Sequence, residues 1–337
     1  MPKQKVYIDM TQTCREKITG WERFAITLED MLLSNPSANL DLSFLRFEKN
    51  SSGRIDYLTN QLAWYFRDAK NGVLENDIFH SGALPPPKGD FKKTWTIHDD
   101  IILGGHKEYA RSGALIWNTL GKKALKDTNI FITPTKYVAS ELMNLGIPSS
   151  KIEIISPAIM EFKASPTKPT KFTGVKGEES LLGGKFAIIV GSVEKRKNPV
   201  FAANLALKCG VTPVLVGGFA NLEAVDFPPG TLFTGRCSDS ELLWLYENAE
   251  VLITASFYEG VNLPIFEALN LGTKVVASDI GVHRELTKGI VQLFPFDIEE
   301  ASKVLKVVLN SEFTGRVELP TPEQITKCYY DLWASLK

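Results

Sequence analysis

Residues 249–285, AEVLITASFYEGVNLPIFEALNLGTKVVASDIGVHRE, constrain the fold of this chain more than any other stretch. They read as strand, loop, helix, strand, turn, helix. Residues 251–256, VLITAS, are a short apolar run with β-branched residues, of a length suited to a strand buried on both faces. A loop follows. Pro264 then marks a helix start, because proline is favoured at the first helical position, where its missing N–H has no partner in any case. Ile265, Phe266, Ala268 and Leu269 supply an apolar face, and Gly272 stands where glycine commonly ends a helix. Residues 273–278, TKVVAS, are the next buried strand. Buried strands alternating with helices call for an α/β fold with parallel sheets covered on both faces.

A helix that begins at the end of a parallel strand presents free N–H groups and the positive end of its dipole to the crevice beyond the strand ends, a setting suited to phosphate. Here those groups belong to Gly260, Val261, Asn262 and Leu263. Glu259 lies just before them and Glu267 one turn inside the helix. Carboxylates do not bind phosphate, but they accept hydrogen bonds from vicinal hydroxyls. Backbone donors flanked by two acidic groups fit a diphosphate between two polyols, and a nucleotide sugar is such a ligand. The spacing alone says little: Glu153 and Glu161 are also eight apart, yet they flank Ser156-Pro157 without strand, glycine loop or helix start between them.

The same alternation runs through the chain. In the first half, strands are expected at 5–9, 42–47, 77–80, 93–99, 129–133 and 152–155, with helices at 20–34, 57–69 and 136–145. Gly20 opens the first helix, where a glycine lets backbone approach a ligand closely. His98 sits at the carboxyl end of a strand, the end at which open α/β sheets bind ligands. Residues 157–184 are rich in Pro, Gly, Ser and Thr and lack apolar periodicity, so they read as a linker between domains at 1–156 and 185–318. The second domain opens with the apolar strand 185–190, then Gly191, Ser192 and the adjacent cations Arg196 and Lys197 before a helix. That turn is open to two readings, a solvated basic turn or a phosphate site facing the crevice. Strands at 214–218 and 232–235 and a helix at 239–248 follow, and an amphipathic helix at 323–336 comes after the second domain is complete, within a last segment at 319–337.

Composition excludes several classes. No apolar run approaches the ~18 residues of a membrane span, and MPKQKVYIDM lacks a signal-peptide core, so a cytoplasmic protein is expected. Cys14, Cys209, Cys237 and Cys328 have neither zinc nor redox spacing, and His80, His98, His106 and His283 form no metal motif, so no protein-held metal and no cofactor are expected. The absence of GxGxxG after the first strand or after Val190 disfavours a dinucleotide dehydrogenase, and no nucleic-acid partner is indicated. Residues 1–170 carry 22 Lys and Arg against 19 Asp and Glu, the remainder 16 against 20. This asymmetry is either without meaning or the mark of a mildly basic first domain that meets anionic, lipid-linked acceptors at a membrane surface.

The motifs together resemble the retaining GT-B-fold glycosyltransferases of family 4. Glu259-Gly260 through Leu263-Pro264 to Glu267-Ala268, then Gly272 to Val276, matches that family's signature of two glutamates eight apart. Gly191 through Arg196-Lys197-Asn198-Pro199 is similar to its variant with adjacent Arg and Lys, common among mannosyl- and deoxyhexosyl-transferases. The resemblance implies two Rossmann-like domains facing a central cleft, with the C-terminal helix crossing back onto the first domain. It further implies transfer of a hexose, with a lean towards GDP-mannose, from a nucleotide-diphosphate sugar to a hydroxyl of a glycan or lipid-linked acceptor in cell-surface polysaccharide or glycolipid assembly, with retention of configuration.

By the same resemblance, Arg196, Lys197 and the N–H groups of 260–263 stabilise the departing diphosphate. Glu259 holds the donor sugar hydroxyls, Glu267 the ribose diol, and Arg236 and Cys237 the base through backbone. Gly191 and Ser192 line the donor turn, while Gly20 and His98 approach from the first domain. Arg23, His80, Asp100 and His106 are read as structural. Four departures stand out: Ser192 replaces a common Arg, Asn262 a common Gly, Ala255 a common Pro, and Pro134-Thr-Lys136 a common Ser-Glu. Two rival readings are a non-catalytic sugar-nucleotide-binding subunit and another GT-B enzyme such as an epimerase.

Overall fold

The computed structural model describes residues 3–14, 20–47, 54–103, 114–157, 162, 164–180, 182–312, 315 and 320–336. His106 and Glu161 lie outside them. The chain forms two compact units, one of Met1–Ala158 with Pro320–Lys337, the other of Ile159–Leu319.

The first unit is built from β1 (Gln4–Asp9), α1 (Gly20–Ser34), β2 (Leu40–Leu45), α2 (Arg54–Arg67), β3 (Ile78–Ser81), β4 (Lys92–Thr96), α3 (Ala114–Asp127), β5 (Ile130–Thr133), α4 (Lys136–Asn144) and β6 (Ile152–Ile154). Its six strands run parallel in the order β2-β1-β3-β4-β5-β6. Period-2 alternation sorts the side chains to two faces. Val6, Ile8, Ile78 and Ile132 face α1, whereas Tyr7, Phe79, Trp95 and Phe131 face the helices of the other side. β4 ends at Thr96, so His98 lies two residues beyond the ladder rather than within a strand reaching 99.

The second unit is built from β7 (Phe172–Thr173), β8 (Glu179–Ser180), β9 (Phe186–Val190), α5 (Pro199–Lys208), β10 (Thr212–Val216), β11 (Leu232–Gly235), α6 (Asp239–Asn248), β12 (Val251–Thr254), α7 (Leu263–Asn270), β13 (Val275–Ser278), α8 (Gly281–Thr287), β14 (Gln292–Phe294) and α9 (Ile298–Asn310). The sheet order is β14-β13-β12-β9-β10-β11-β7-β8. Ala187, Ile189, Leu215, Ile253 and Val276 pack under α5 and α9, and the alternate residues Ile188, Val214, Leu252 and Val275 under α6 and α7.

Two expectations change here. The segment read as a linker, 157–184, contributes β7 and β8, an antiparallel ribbon whose Phe172 is buried against the second unit's core. The sheet is therefore mixed, with six parallel strands and an antiparallel edge. Strands of two residues carry too little pattern to be read from sequence, and the Pro and Gly around them masked the ribbon.

The last helix, α10 (Pro322–Ser335), belongs to the first unit. Ile325, Tyr329, Leu332 and Trp333, at helical spacing, bury themselves on the face that α1 covers, and the Tyr330 hydroxyl donates to the carbonyls of Leu32 and Asn35 at 3.0 and 2.8 Å. Thr321 caps it, its hydroxyl accepting from the Gln324 amide N–H while the Gln324 side chain accepts from the Thr321 N–H. Among the described residues no helix is long and apolar enough to cross a membrane.

Candidate functional site

β9 and β12 are neighbours in the middle of the second unit's sheet, so the loops leaving their carboxyl ends meet. After β9 the chain turns at Gly191, whose φ of 130° favours glycine, and enters a short 3-10 turn over Lys195–Lys197. The turn is tight on both sides. A Cβ on Gly191 would stand 2.9 Å from Cε of Lys197, and one on Gly217, after β10, would stand 2.0 Å from the Gly191 carbonyl oxygen. Two backbones therefore pass at a separation only glycine permits, and the Lys197 stem lies along the first of them.

After β12 the loop 255–262 folds back over this turn, with the Phe257 N–H donating to the Arg196 carbonyl at 2.9 Å. Glu259 is buried and takes three donors: Lys197 Nζ at 2.6 Å and Ser256 Oγ at 2.8 Å on Oε1, and Arg196 at 2.7 Å on Oε2. Arg196 also donates to the Tyr258 carbonyl at 2.7 Å and to Glu194 at 2.8 Å. Burial alone would push the Glu259 carboxyl up, but Arg196 and Lys197 outweigh it and hold the group far below the usual carboxylate range. Glu259 is thus a fixed anion at neutral pH. A small pocket opens beside it, lined by Gly191, Ser192, Val193, Lys197, Thr254 and Ser256 among others.

The loop continues through the buried Gly260 and Val261 to Asn262, which precedes α7 in the left-handed region at φ 70°, ψ 63°. Leu263 and Pro264 form the first turn. The Asn262 amide donates to Thr254 Oγ1 at 2.8 Å and to His283 Nε2 at 3.0 Å. Glu267, buried one turn further on, enters a different network, where its Oε2 accepts from the Tyr246 hydroxyl at 2.7 Å. On the other side of the sheet centre, Arg236 and Cys237 follow β11. The Arg236 side chain lies over Gly218, and Cys237 packs half-buried against the core, where burial pushes its thiol up.

In the first unit, His98 is half-buried, edge-on to Phe24 with ring centroids 4.5 Å apart and stacked on Trp21 at 6.0 Å. Its Nε2 donates to the Gly82 carbonyl at 2.9 Å, and burial pushes the ring down to about 4, so it is neutral at pH 7. Gly20 opens α1 with open space where a Cβ would be, so packing within its unit does not demand a glycine there. His80 is buried between β3 and α10, with Nδ1 2.9 Å from Thr94 Oγ1. Asp100 is buried in the 3-10 turn Asp100–Leu103, and Arg23 lies within α1.

Glu259, Arg196 and Lys197 stand out in the sequence, whereas their supports do not: Glu194 and Ser256 beside the cluster itself, Tyr246 on Glu267, Thr254 and His283 on Asn262, and Ser278 on His283. Ser256 at i−3 from Glu259 and Glu194 at i−2 from Arg196 are the local signals. The others come from separate elements and have no spacing that marks them. Among the described residues no group of three or more His, Cys, Asp or Glu could hold a metal ion.

With this geometry in hand, residues 186–323 match the model of the family described as Glycosyl transferases group 1. The O-antigen chain mannosyltransferase B of Escherichia coli is 24% identical over 233 residues, which are 65% of this chain and 60% of that protein. The match thus spans less than two thirds of the relative's length. Among solved structures, sucrose-phosphate synthase from Thermosynechococcus elongatus has a TM-score of 0.65 at 13% identity, covering 99% of this chain and 95% of that one. Anabaena HepE, solved in complex with UDP and glucose, has a TM-score of 0.63 at 13% identity, covering 99% and 97%. The chain has the GT-B fold, and the match to the group 1 glycosyltransferase model falls mostly on its second unit.

Proposed function

We propose that this protein is a retaining glycosyltransferase that moves a hexose, mannose by preference, from a nucleotide-diphosphate sugar to a hydroxyl of a glycan or lipid-linked acceptor in cell-surface polysaccharide assembly. The observation that carries the reading is the Arg196–Glu259–Lys197 cluster at the carboxyl ends of β9 and β12, beside the N-terminus of α7. The name of the Escherichia coli relative supports mannose. The UDP-bound structural neighbour keeps the base open, so the donor must be tested across bases.

The hydrogen-bond inventory supports a division of roles. An ionised carboxylate has about four lone-pair directions, and Glu259 uses three on protein donors, which leaves one on Oε2 for a donor-sugar hydroxyl. Arg196 spends its guanidinium on Tyr258, Glu194 and Glu259 and works chiefly as the clamp that aims Glu259. Lys197 gives one of its three N–H bonds to Glu259 and keeps the others for a phosphate oxygen. On leaving, the diphosphate gains negative charge that Lys197 and the N–H groups of 260–263 stabilise without reorganising, because they are already fixed. The departing phosphate oxygen takes the acceptor hydroxyl's proton on the face from which it leaves. The sugar carbon then bonds to the acceptor oxygen with configuration kept.

The test is binding and slow hydrolysis across a panel of GDP-, UDP- and dTDP-sugars for wild type, Lys197→Ala and Glu267→Gln. One donor bound and turned over, with both variants impaired, is the expected result and names the donor. Folded protein that binds none of them overturns the reading.

A further inference from the structure

Asn262 stands in a backbone conformation that glycine adopts freely and most residues avoid, and the cause of its stability is visible. Although it immediately precedes α7, its side chain makes no capping bond. The amide Nδ2 instead reaches Thr254 Oγ1 at the end of β12 and His283 Nε2 on α8. His283 is fully buried and its tautomer is decided by its other nitrogen. Nδ1 lies 2.8 Å from the Ser278 carbonyl, which can only accept, so Nδ1 carries the proton and Nε2 presents a bare lone pair. An amide N–H directed at that lone pair is the complementary partner. One side chain thus ties the loop before α7 to the end of β12 and to α8 at once.

We propose that His283 is a positioning residue for donor binding: acting through Asn262, it locks the loop 259–262 so that the carboxylate of Glu259 and the N–H groups before α7 stay aimed at one ligand position. The inference rests on the donor-site reading above and adds a residue outside the loop that governs it. A glycine at 262 would reach the same φ but lack this tether. In this chain the amide supplies the tether, and His283 supplies the acceptor that orients the amide.

The test has two arms. In ligand-free protein, hydrogen exchange at the amides of 259–263 is measured for wild type, Asn262→Gly, His283→Ala and His283→Gln, whose Oε1 falls near the Nε2 position and can accept from Asn262. Loss of one such bond corresponds to about tenfold faster local exchange in the Gly and Ala variants, with His283→Gln near wild type. Exchange in Asn262→Gly equal to wild type, or His283→Gln as fast as His283→Ala, overturns the lock. If His283→Ala does not fold, the Gly and Gln variants decide the matter alone.

In the second arm, affinity for the nucleotide-diphosphate sugar is measured for the same variants and for the double variant Asn262→Gly/His283→Ala. About tenfold weaker binding in each single variant, with the double variant no worse than Asn262→Gly, is the result of a residue acting through Asn262. Additive losses, or altered exchange with unchanged affinity, overturn the positioning role. If wild type binds no sugar nucleotide, the donor-site reading falls while the exchange arm still decides the lock.

Discussion

Lys197 and Arg196 are neighbours in sequence, yet their surroundings differ: Arg196 bonds Tyr258, Glu194 and Glu259, the Lys197 ammonium only Glu259 among the described residues. Lys197→Ala removes the cation with donors to spare, so it is expected to weaken nucleotide-sugar binding by about tenfold to a hundredfold, as for loss of a charge-assisted hydrogen bond, while leaving the melting temperature within a few degrees. Arg196→Ala leaves Glu194 and Glu259 buried beside each other without their shared cation, and is expected to lower the melting temperature markedly as well as affinity. Calorimetric titration and thermal melts of the pair check the contrast, and equal effects on stability would refute it. The first unit's histidines carry a pH prediction. His80 and His98 are held down to about 3 and about 4 by burial, so the unfolded chain takes up protons near pH 6.5 that the folded rings refuse. Asp9 opposes them: burial raises it to about 6, and it adds stability as pH falls from there towards the ordinary aspartate range. Two rings against one carboxyl leave a net loss of stability as pH drops from about 6.5 towards 4, read as a falling melting temperature. His80→Gln should show a shallower fall.

At the scale of elements, the site depends on two loops that can approach only because of their glycines. Gly217→Ala would drive a Cβ to 2.0 Å from the Gly191 carbonyl and force a residue with a side chain into φ 149°. A loss of about 2 kcal/mol or more in urea unfolding is expected, as for other strained backbone positions, together with loss of donor binding because the turn carrying Lys197 shifts. The elements themselves were largely legible. β9, β12, β13, α5 and α7 fall where the apolar runs, Pro199, Pro264 and Gly272 put them, with ends moved by a residue or two. The helices α3 and α9 are absent from the sequence expectations, and so are β7, β8 and β14, strands of two or three residues that are too short to show a period.

At the scale of the whole molecule, the chain passes through the second unit and returns to finish the first. Trp333 and Tyr329 are fully buried on the sheet face shared with α1, and the Trp333 Nε1–H reaches Thr94 Oγ1 at 3.3 Å. Trp333→Ala is expected to cost about 3 to 5 kcal/mol of the first unit's stability, the range for deleting a large buried aromatic side chain. In differential scanning calorimetry the transition of the first unit should move down while that of the second stays in place. A uniform shift of both transitions would contradict the division into units.

The sequence by itself determined the alternation of buried strand and helix, the return helix with its apolar face, and the loop with Glu259 and the α7 start, because these depend on local periodicity and on what proline and glycine do to the backbone. Only the tertiary structure decided which side chains share a bond. That Arg196 and Lys197 both bond Glu259, that Tyr246 bonds Glu267, and that Asn262 meets His283 all follow from strand order, which brings residues 21 to 63 positions apart within hydrogen-bonding distance. Neighbourhood in a parallel sheet is set by packing of whole elements, and no spacing along the chain encodes it.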